Sequence, residues 1–362
     1  MSSIYGSVPS LSKQDVQSMS EALLKGVFGK PSLSQIYGVR TGIKGQTRLA
    51  IMGNFNGLSG KVKADCAITT PSGTITASEK TWSPKFISDR FEMCYEDLMG
   101  TWMQWILANG LAKEDIGNSA SLATFTTEMI QDAMVEAIHR LVVFGDTAAV
   151  AGTGNSISSG DLAYFTPIDG WWKQGLAIVA GDATKRITVA RNAEITYADQ
   201  KFDATDTTNQ VVTGYLESAY NTADFRLRGM NKSDLVYICT ASLVDQYKAE
   251  RKKASGIDLA YNRVEDGFDT VMCGGIEVVE YNFLDRMIKT YFDDGGDAWF
   301  NPHRGILTTR ANAANILVGT EQESNLSELS VDYDKYNKKW FADYGFMLDC
   351  KVGIDERVMM IY

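Results

Sequence analysis

The sequence predicts an α+β fold in two lobes, and three observations predict it. Residues 126–145, TTEMIQDAMVEAIHRLVVFG, carry one unbroken helical apolar period. A polar, β-rich stretch precedes them. After them a long region alternates short apolar strands with helical segments, and longer strands return at the end. A chain of 362 residues is also long for a single compact core.

Composition bounds the reading further. Hydrophobic residues make up 44% of the chain, which supports large cores and excludes bulk disorder. No apolar run reaches the roughly 18 residues of a membrane span. The start, MSSIYGSVPSLSKQDVQ, lacks the basic residues and apolar centre of a signal peptide, so a soluble protein kept in a cytoplasm is expected. Cys66, Cys94, Cys239, Cys273 and Cys350 are scattered singly, the pattern of reduced, mostly buried thiols. A net charge of −10 repels nucleic acid and excludes sequence-specific DNA binding, though an acidic wall can still enclose DNA without adhering to it.

Residues 1–45 form an arm with a short amphipathic helix at Gln14–Lys25, where Val16, Met19, Leu23 and Leu24 share a side. Strands follow. Arg48–Met52 leads into a turn at Asn54–Gly57, and Lys61–Ile68 and Thr74–Trp82 flank Thr70-Pro-Ser-Gly73, which reads as a hairpin. Its strands are rich in Thr, Lys and Ser. A ribbon that polar cannot fold alone, so it is expected to be either held against another molecule or mobile. Tyr95–Gly110 reads as a helix with Leu98, Trp102 and Ile106 four apart.

In the long helix Met129, Ile130, Ala133, Met134, Ala137, Ile138, Leu141 and Val142 make one stripe. Thr126 is the expected N-cap and Gly145 the expected left-handed stop. The next lobe carries helices near Gly170–Ala177, Gln210–Leu227 and Ser242–Lys253, and strands at Leu235–Cys239, Val271–Met272, Ile276–Tyr281 and Gly305–Thr309. Strands at Ser330–Tyr333, Lys339–Leu348 and Val358–Tyr362 end the chain. The long helix should face them through Phe341, Phe346 and Val358.

Catalytic constellations are scarce. His139 lies inside the long helix and His303 at a turn; neither has a local signature for a dyad with a cysteine. Gly152-Thr-Gly154 lacks the strand–turn–helix setting of a phosphate loop. Asp293, Asp294 and Asp297 surround a turn without the alternating spacing of a calcium loop. Lys248, Arg251, Lys252 and Lys253 suit a helix C-terminus better than a nucleic-acid patch. No catalytic, cofactor-binding or metal residue is assigned, no cofactor is expected, and a structural protein is the expectation in place of an enzyme.

The order of parts resembles the major capsid protein of tailed bacteriophages, the Hong Kong 97-like fold. Ala133–Gly145 followed by Asp146 resembles its spine helix, and the polar hairpin its extended E-loop. Met230-Asn-Lys-Ser-Asp-Leu-Val-Tyr-Ile-Cys239 and Cys273-Gly-Gly-Ile-Glu-Val-Val-Glu-Tyr281 resemble its axial domain, with Glu277 where small or proline residues are common.

The resemblance implies an N-terminal arm over 1–45, an extended loop over 46–93, and a peripheral domain over 94–164 with its spine helix at 126–144. It implies an axial α/β domain over 165–315 and peripheral C-terminal strands over 316–362. It implies self-assembly into pentamers and hexamers of an icosahedral shell around double-stranded DNA, with portal and scaffold or decoration proteins as partners and no membrane. The virion is the implied location, reached from the bacterial host cytoplasm. A hairpin starting near residue 46 leaves no room for the long N-terminal scaffolding region of some members, so a separate scaffold or none is expected. Lys61, Lys63 and Lys80 lie on the hairpin, but the Lys–Asn crosslinking of some members is not carried over. The alternatives are an encapsulin-type compartment shell, a cytoplasmic two-lobe enzyme that folds the hairpin onto itself, and a phage tail protein, whose trimeric β repeats are missing here.

Overall fold

The computed structural model describes residues 19, 36–56, 74–108, 119–150, 157, 161–190, 197–202, 210–255, 262–264, 268–292, 302–310, 313–321, 328–334, 336–337 and 339–362. In chain order these residues form β1 (Gly38–Arg40), β2 (Thr47–Asn56), β3 (Thr74–Trp82), β4 (Lys85–Cys94), α1 (Tyr95–Ala108) and α2 (Ser119–Phe144). Next come α3 (Trp171–Gly181), β5 (Arg186–Ile187), α4 (Tyr197–Gln200), α5 (Val211–Thr222), α6 (Phe225–Arg228), β6 (Leu235–Cys239) and α7 (Ala241–Ser255). The remainder is β7 (Asn262–Val264), β8 (Phe268–Cys273), β9 (Ile276–Glu280), α8 (Asn282–Tyr291), β10 (Gly305–Thr309), β11 (Ile316–Thr320), β12 (Glu328–Asp334), β13 (Lys339–Val352) and β14 (Met359–Ile361).

Helix α2 begins at Ser119, seven residues before the expected Thr126. Ser and Thr lower the helix propensity of its first turns, but Phe125 packs edge-on against Trp105 of α1, with ring centroids 5.8 Å apart. Packing therefore outweighs propensity. Thr126 is buried inside the helix and is not a cap. Ile130, Met134, Ile138, Leu141 and Val142 face the core as expected, joined by Val135, whereas Ala133 is exposed.

Strand β13 organises one sheet. It pairs antiparallel with β4, β12 and β11, and β1 adds to β11 in parallel. Its side chains alternate: Ala342, Tyr344, Phe346, Leu348, Cys350 and Val352 are buried in the same core as the α2 stripe. Phe341 has the opposite parity and lies under the Arg90 guanidinium, 4.8 Å from the ring centroid. The expectation that Phe341 and Phe346 both face the helix is thereby corrected, since residues five apart on a strand point to opposite faces.

The larger sheet runs β5-β14-β10-β6-β9-β8-β7. The five residues of β6, Leu-Val-Tyr-Ile-Cys, are all buried because both faces are covered. Leu235, Tyr237 and Cys239 join one core together with α5 and α7, while Val236 and Ile238 join the core of α2 and α3. β8 and β9 are joined through Gly274 and Gly275, at φ of 58° and 87°, a two-residue turn that only residues tolerant of positive φ can make. β14 lies between β5 and β10, so Met359–Ile361 belongs to this sheet and not, as expected for all of 316–362, with the strands beside the long helix.

Three further differences have local causes. The helix expected over Gln210–Leu227 breaks after Thr222, where Asp224 caps α6 by accepting from the Arg226 N–H at 2.8 Å. Thr74–Trp82 pairs along one edge with Thr47–Asn56; its expected partner, Lys61–Ile68, lies outside the described residues. So does the Gln14–Lys25 helix apart from Met19, which is helical and buried. Helix α8 stands where only strands and turns were expected, although Leu284, Met287 and Ile288 hold the i, i+3, i+4 spacing that signals it.

Candidate assembly surfaces

The two-stranded ribbon β2–β3 is fastened to the body at its base. Trp82, at the end of β3, is buried with Ile43, Leu317 and the flanking Leu49. Lys80 donates to the Val352 carbonyl at 2.7 Å and forms an ion pair with Asp355. The Ser83 N–H donates to Oδ2 of buried Asp349 at 2.6 Å, and the same carboxylate accepts from the Cys350 N–H at 2.8 Å. Farther out, Arg48 and Glu79 make an exposed ion pair at 3.3 Å, of the kind that adds little stability. The ribbon thus leaves the body from a rigid root. Lys80 was noted in the sequence only as a hairpin residue. Asp349 and Asp355 gave no local signal, because their partners lie more than 250 positions away.

The second fixed element is the corner between α2 and α3. Gly145 is not left-handed, which corrects the expectation of a left-handed stop. It is needed for close approach: a Cβ there would lie 2.4 Å from the Ile168 carbonyl oxygen, and one on Gly170 would lie 2.6 Å from that of Val143. The Gly170 N–H donates to the Gly145 carbonyl at 2.8 Å, so the two backbones touch. Beside them Lys173 pairs with Asp146 at 2.5 Å and Asp169 at 2.7 Å, and Asp169 accepts from the Thr147 N–H and hydroxyl, each at 2.8 Å.

Partial burial acts to raise the Asp169 carboxyl, but Lys173 and the two Thr147 donors outweigh it and hold the group below the ordinary carboxylate range. Such a group stabilises the fold above the unfolded carboxylate value and loses that contribution as pH falls through the depressed folded one. Thermal unfolding between about pH 5 and pH 2 should therefore show wild type losing more stability than Asp169→Asn, by on the order of 1 kcal/mol or less for a partly exposed group. Parallel pH profiles for the two proteins would rule this out.

Arg304 is caged by three aromatic rings. Its guanidinium lies 5.4 Å from the ring centroid of Phe144 at the end of α2, 5.2 Å from Trp172 of α3 and 5.3 Å from Phe292 after α8. Arginine suits such a cage because its flat, weakly hydrated cation stacks on aromatic faces.

Both histidines are buried in packing roles. His139 bonds through Nδ1 to the Tyr281 hydroxyl and stacks on Phe283 at 4.3 Å. His303 Nδ1 lies 3.1 Å from Ser242 Oγ with Phe202 against its ring at 4.1 Å. That serine–histidine contact is buried, with both residues 3% exposed. Cys239, Cys273 and Cys350 are buried, and burial pushes their thiols up, away from the nucleophilic thiolate; Cys94 is exposed. Lys248 is spent on ion pairs with Glu280 at 3.0 Å and Asp245 at 3.6 Å. Gly152-Thr-Gly154, Cys66 and Asp293–Asp297 lie outside the described residues. Among the described residues no group of three or more His, Cys, Asp or Glu could hold a metal ion. No described helix is long and apolar enough to cross a membrane.

No family model and no curated protein matches the sequence. Solved structures do match the fold. The capsid of Ralstonia phage GP4 aligns over 99% of this chain and 95% of its own, at 11% identity and a TM-score of 0.51. The procapsid of satellite phage P4, in a structure that includes the size determination protein, aligns over 96% of both chains at 10% identity and a TM-score of 0.50. At such identities the likeness is one of fold. The chain has the Hong Kong 97-like fold of phage capsid subunits.

Proposed function

We propose that the chain is a structural major capsid protein whose copies assemble into pentamers and hexamers of an icosahedral phage shell enclosing double-stranded DNA. The observation that carries this reading is the capsid fold, shared over nearly the whole length of both chains with the Ralstonia phage GP4 capsid. In this reading α2 is the spine, the ribbon β2–β3 is the extended loop, and the β6–β10 region is the axial lobe. A two-stranded ribbon on a fixed root suits a contact completed by a neighbouring copy. The net charge of −10 suits a wall against which DNA slides without adhering. No cofactor, metal or catalytic residue takes part. Portal and scaffold or decoration proteins, a place in the virion, and assembly in the bacterial cytoplasm belong to the same proposal.

Sedimentation and negative-stain electron microscopy of the purified chain test it. Capsomers or large closed particles are expected. A stable, compact monomer of 39.9 kDa at all concentrations would overturn it.

A further inference from the structure

Three buried side chains join elements that lie far apart in the chain. The hydroxyl of Tyr37, immediately before β1, donates to the Tyr281 hydroxyl at 3.2 Å. Tyr281, between β9 and α8, in turn meets Nδ1 of His139 in α2. None of the three is more than 1% exposed. β1 lies at the edge of the β13 sheet and β9 inside the larger one, so these bonds tie both sheets to the long helix. β1 needs such a tie, because its ladder with β11 is only three residues long, Gly38–Arg40.

The bonds have a direction. Burial pushes both tyrosine hydroxyls up, so each keeps its one proton to donate. Tyr37 places its proton on Tyr281, and Tyr281 directs its own to His139, whose Nδ1 accepts and therefore carries none. Charging the imidazole puts a second proton into that contact, and relief requires both hydroxyls to turn, which breaks the Tyr37–Tyr281 bond. An imidazole free to charge only in the opened state weakens the tie as pH falls through the imidazole range, near about 6.5.

The charged groups around the tie come from three elements. One turn earlier on α2, Glu136 pairs with Arg286 of α8 at 2.5 Å. Arg286 also lies 5.3 Å from the centroid of Phe283, the ring on which His139 stacks. Asp285 of α8 accepts from the Ala241 N–H at 2.7 Å and from the Tyr197 hydroxyl. Burial raises its carboxyl, which favours the fold as pH falls, the opposite sign to the tie. From β13 the Cys350 thiol faces Tyr37, and burial pushes it up as well, so it stays neutral.

We propose that Tyr37, Tyr281 and His139 form an acid-sensitive latch, and that protonation of His139 frees β1 from the junction of the two sheets before the rest of the subunit opens. Hydrogen exchange of the full chain tests it, read at β1 relative to β6 and corrected for intrinsic rates. From about pH 7.5 to about pH 5, relative exchange at β1 should rise about ten-fold or more in wild type. His139→Gln, whose amide oxygen accepts the Tyr281 proton at either pH, should respond less than about two-fold. Tyr37→Phe keeps the imidazole and cuts the tie at its other end, so β1 should exchange fast at both pH values even if the glutamine variant fails to fold. Unchanged protection of β1 in wild type overturns the latch. So does an acid response that survives in His139→Gln, which would pass the effect to His303 or a carboxylate. No particle is needed for either measurement, so the latch and the shell reading fail separately.

Discussion

Replacing Ala50–Glu79 with Asn-Gly is expected to leave the subunit folded and to abolish assembly. Leu49 pairs with Lys80 in the ribbon, so a two-residue type I′ turn joins them without changing the register. The shortened chain keeps Trp82 in its pocket with Ile43 and Leu317, and keeps the Lys80 bonds to Val352 and Asp355. What it loses is a two-stranded ribbon, an element too small to hold a core of its own, so the melting temperature should stay within a few degrees of wild type. Particles should disappear from sedimentation profiles under conditions in which wild type assembles. Unfolding of the shortened subunit would show that the ribbon serves the subunit's own stability and would count against its role between copies.

Gly170→Ala should have the largest effect on the fold itself. The position has φ −73° and ψ 169°, which any residue adopts, so conformational freedom is not the issue. Space is. The added methyl would sit 2.6 Å from the Val143 carbonyl oxygen and 2.8 Å from the Gly145 nitrogen, against backbone that cannot swing aside as a side chain can. Relief requires parting α2 from α3, which breaks the Gly170–Gly145 hydrogen bond and opens the core around Val143 and Trp171. A loss of more than about 3 kcal/mol, read as a shift of the denaturant midpoint or as failure to express in soluble form, is expected. Gly181→Ala is the control: a Cβ there meets nothing within 4 Å. Equal behaviour of the two variants would refute the argument.

Much of this was legible in residue spacing. The period of α2, the all-apolar run of β6 and the Cys-Gly-Gly turn between β8 and β9 are local signals, and the structure places them as expected. The parity of Phe341 and Phe346 and the apolar spacing of α8 were also open to reading. Other features lie beyond any local pattern. The aromatic cage of Arg304 gathers side chains from positions 144, 172 and 292, and the ribbon root gathers residues 43, 80, 82, 317, 349 and 355. Gly145 reads as a helix stop and Gly170 as the start of a helix, and only the crossing of two backbones reveals what they are for. The candidate surfaces were therefore less legible than the fold, since an interface residue carries neither period nor motif.

The ribbon root has a kinetic consequence as well. Its parts come from both ends of the described chain, and the pairing of residue 38 with residue 317 that brings them together closes a very long loop. Such distant pairings form late, because the entropy of loop closure must be overcome before the contacts reward it. Trp82 has no pocket until β11 is in place. The direction in which the ribbon points is thus fixed only by a fully folded subunit, and a half-folded chain cannot present it to a neighbour. Completion of folding becomes the licence to assemble.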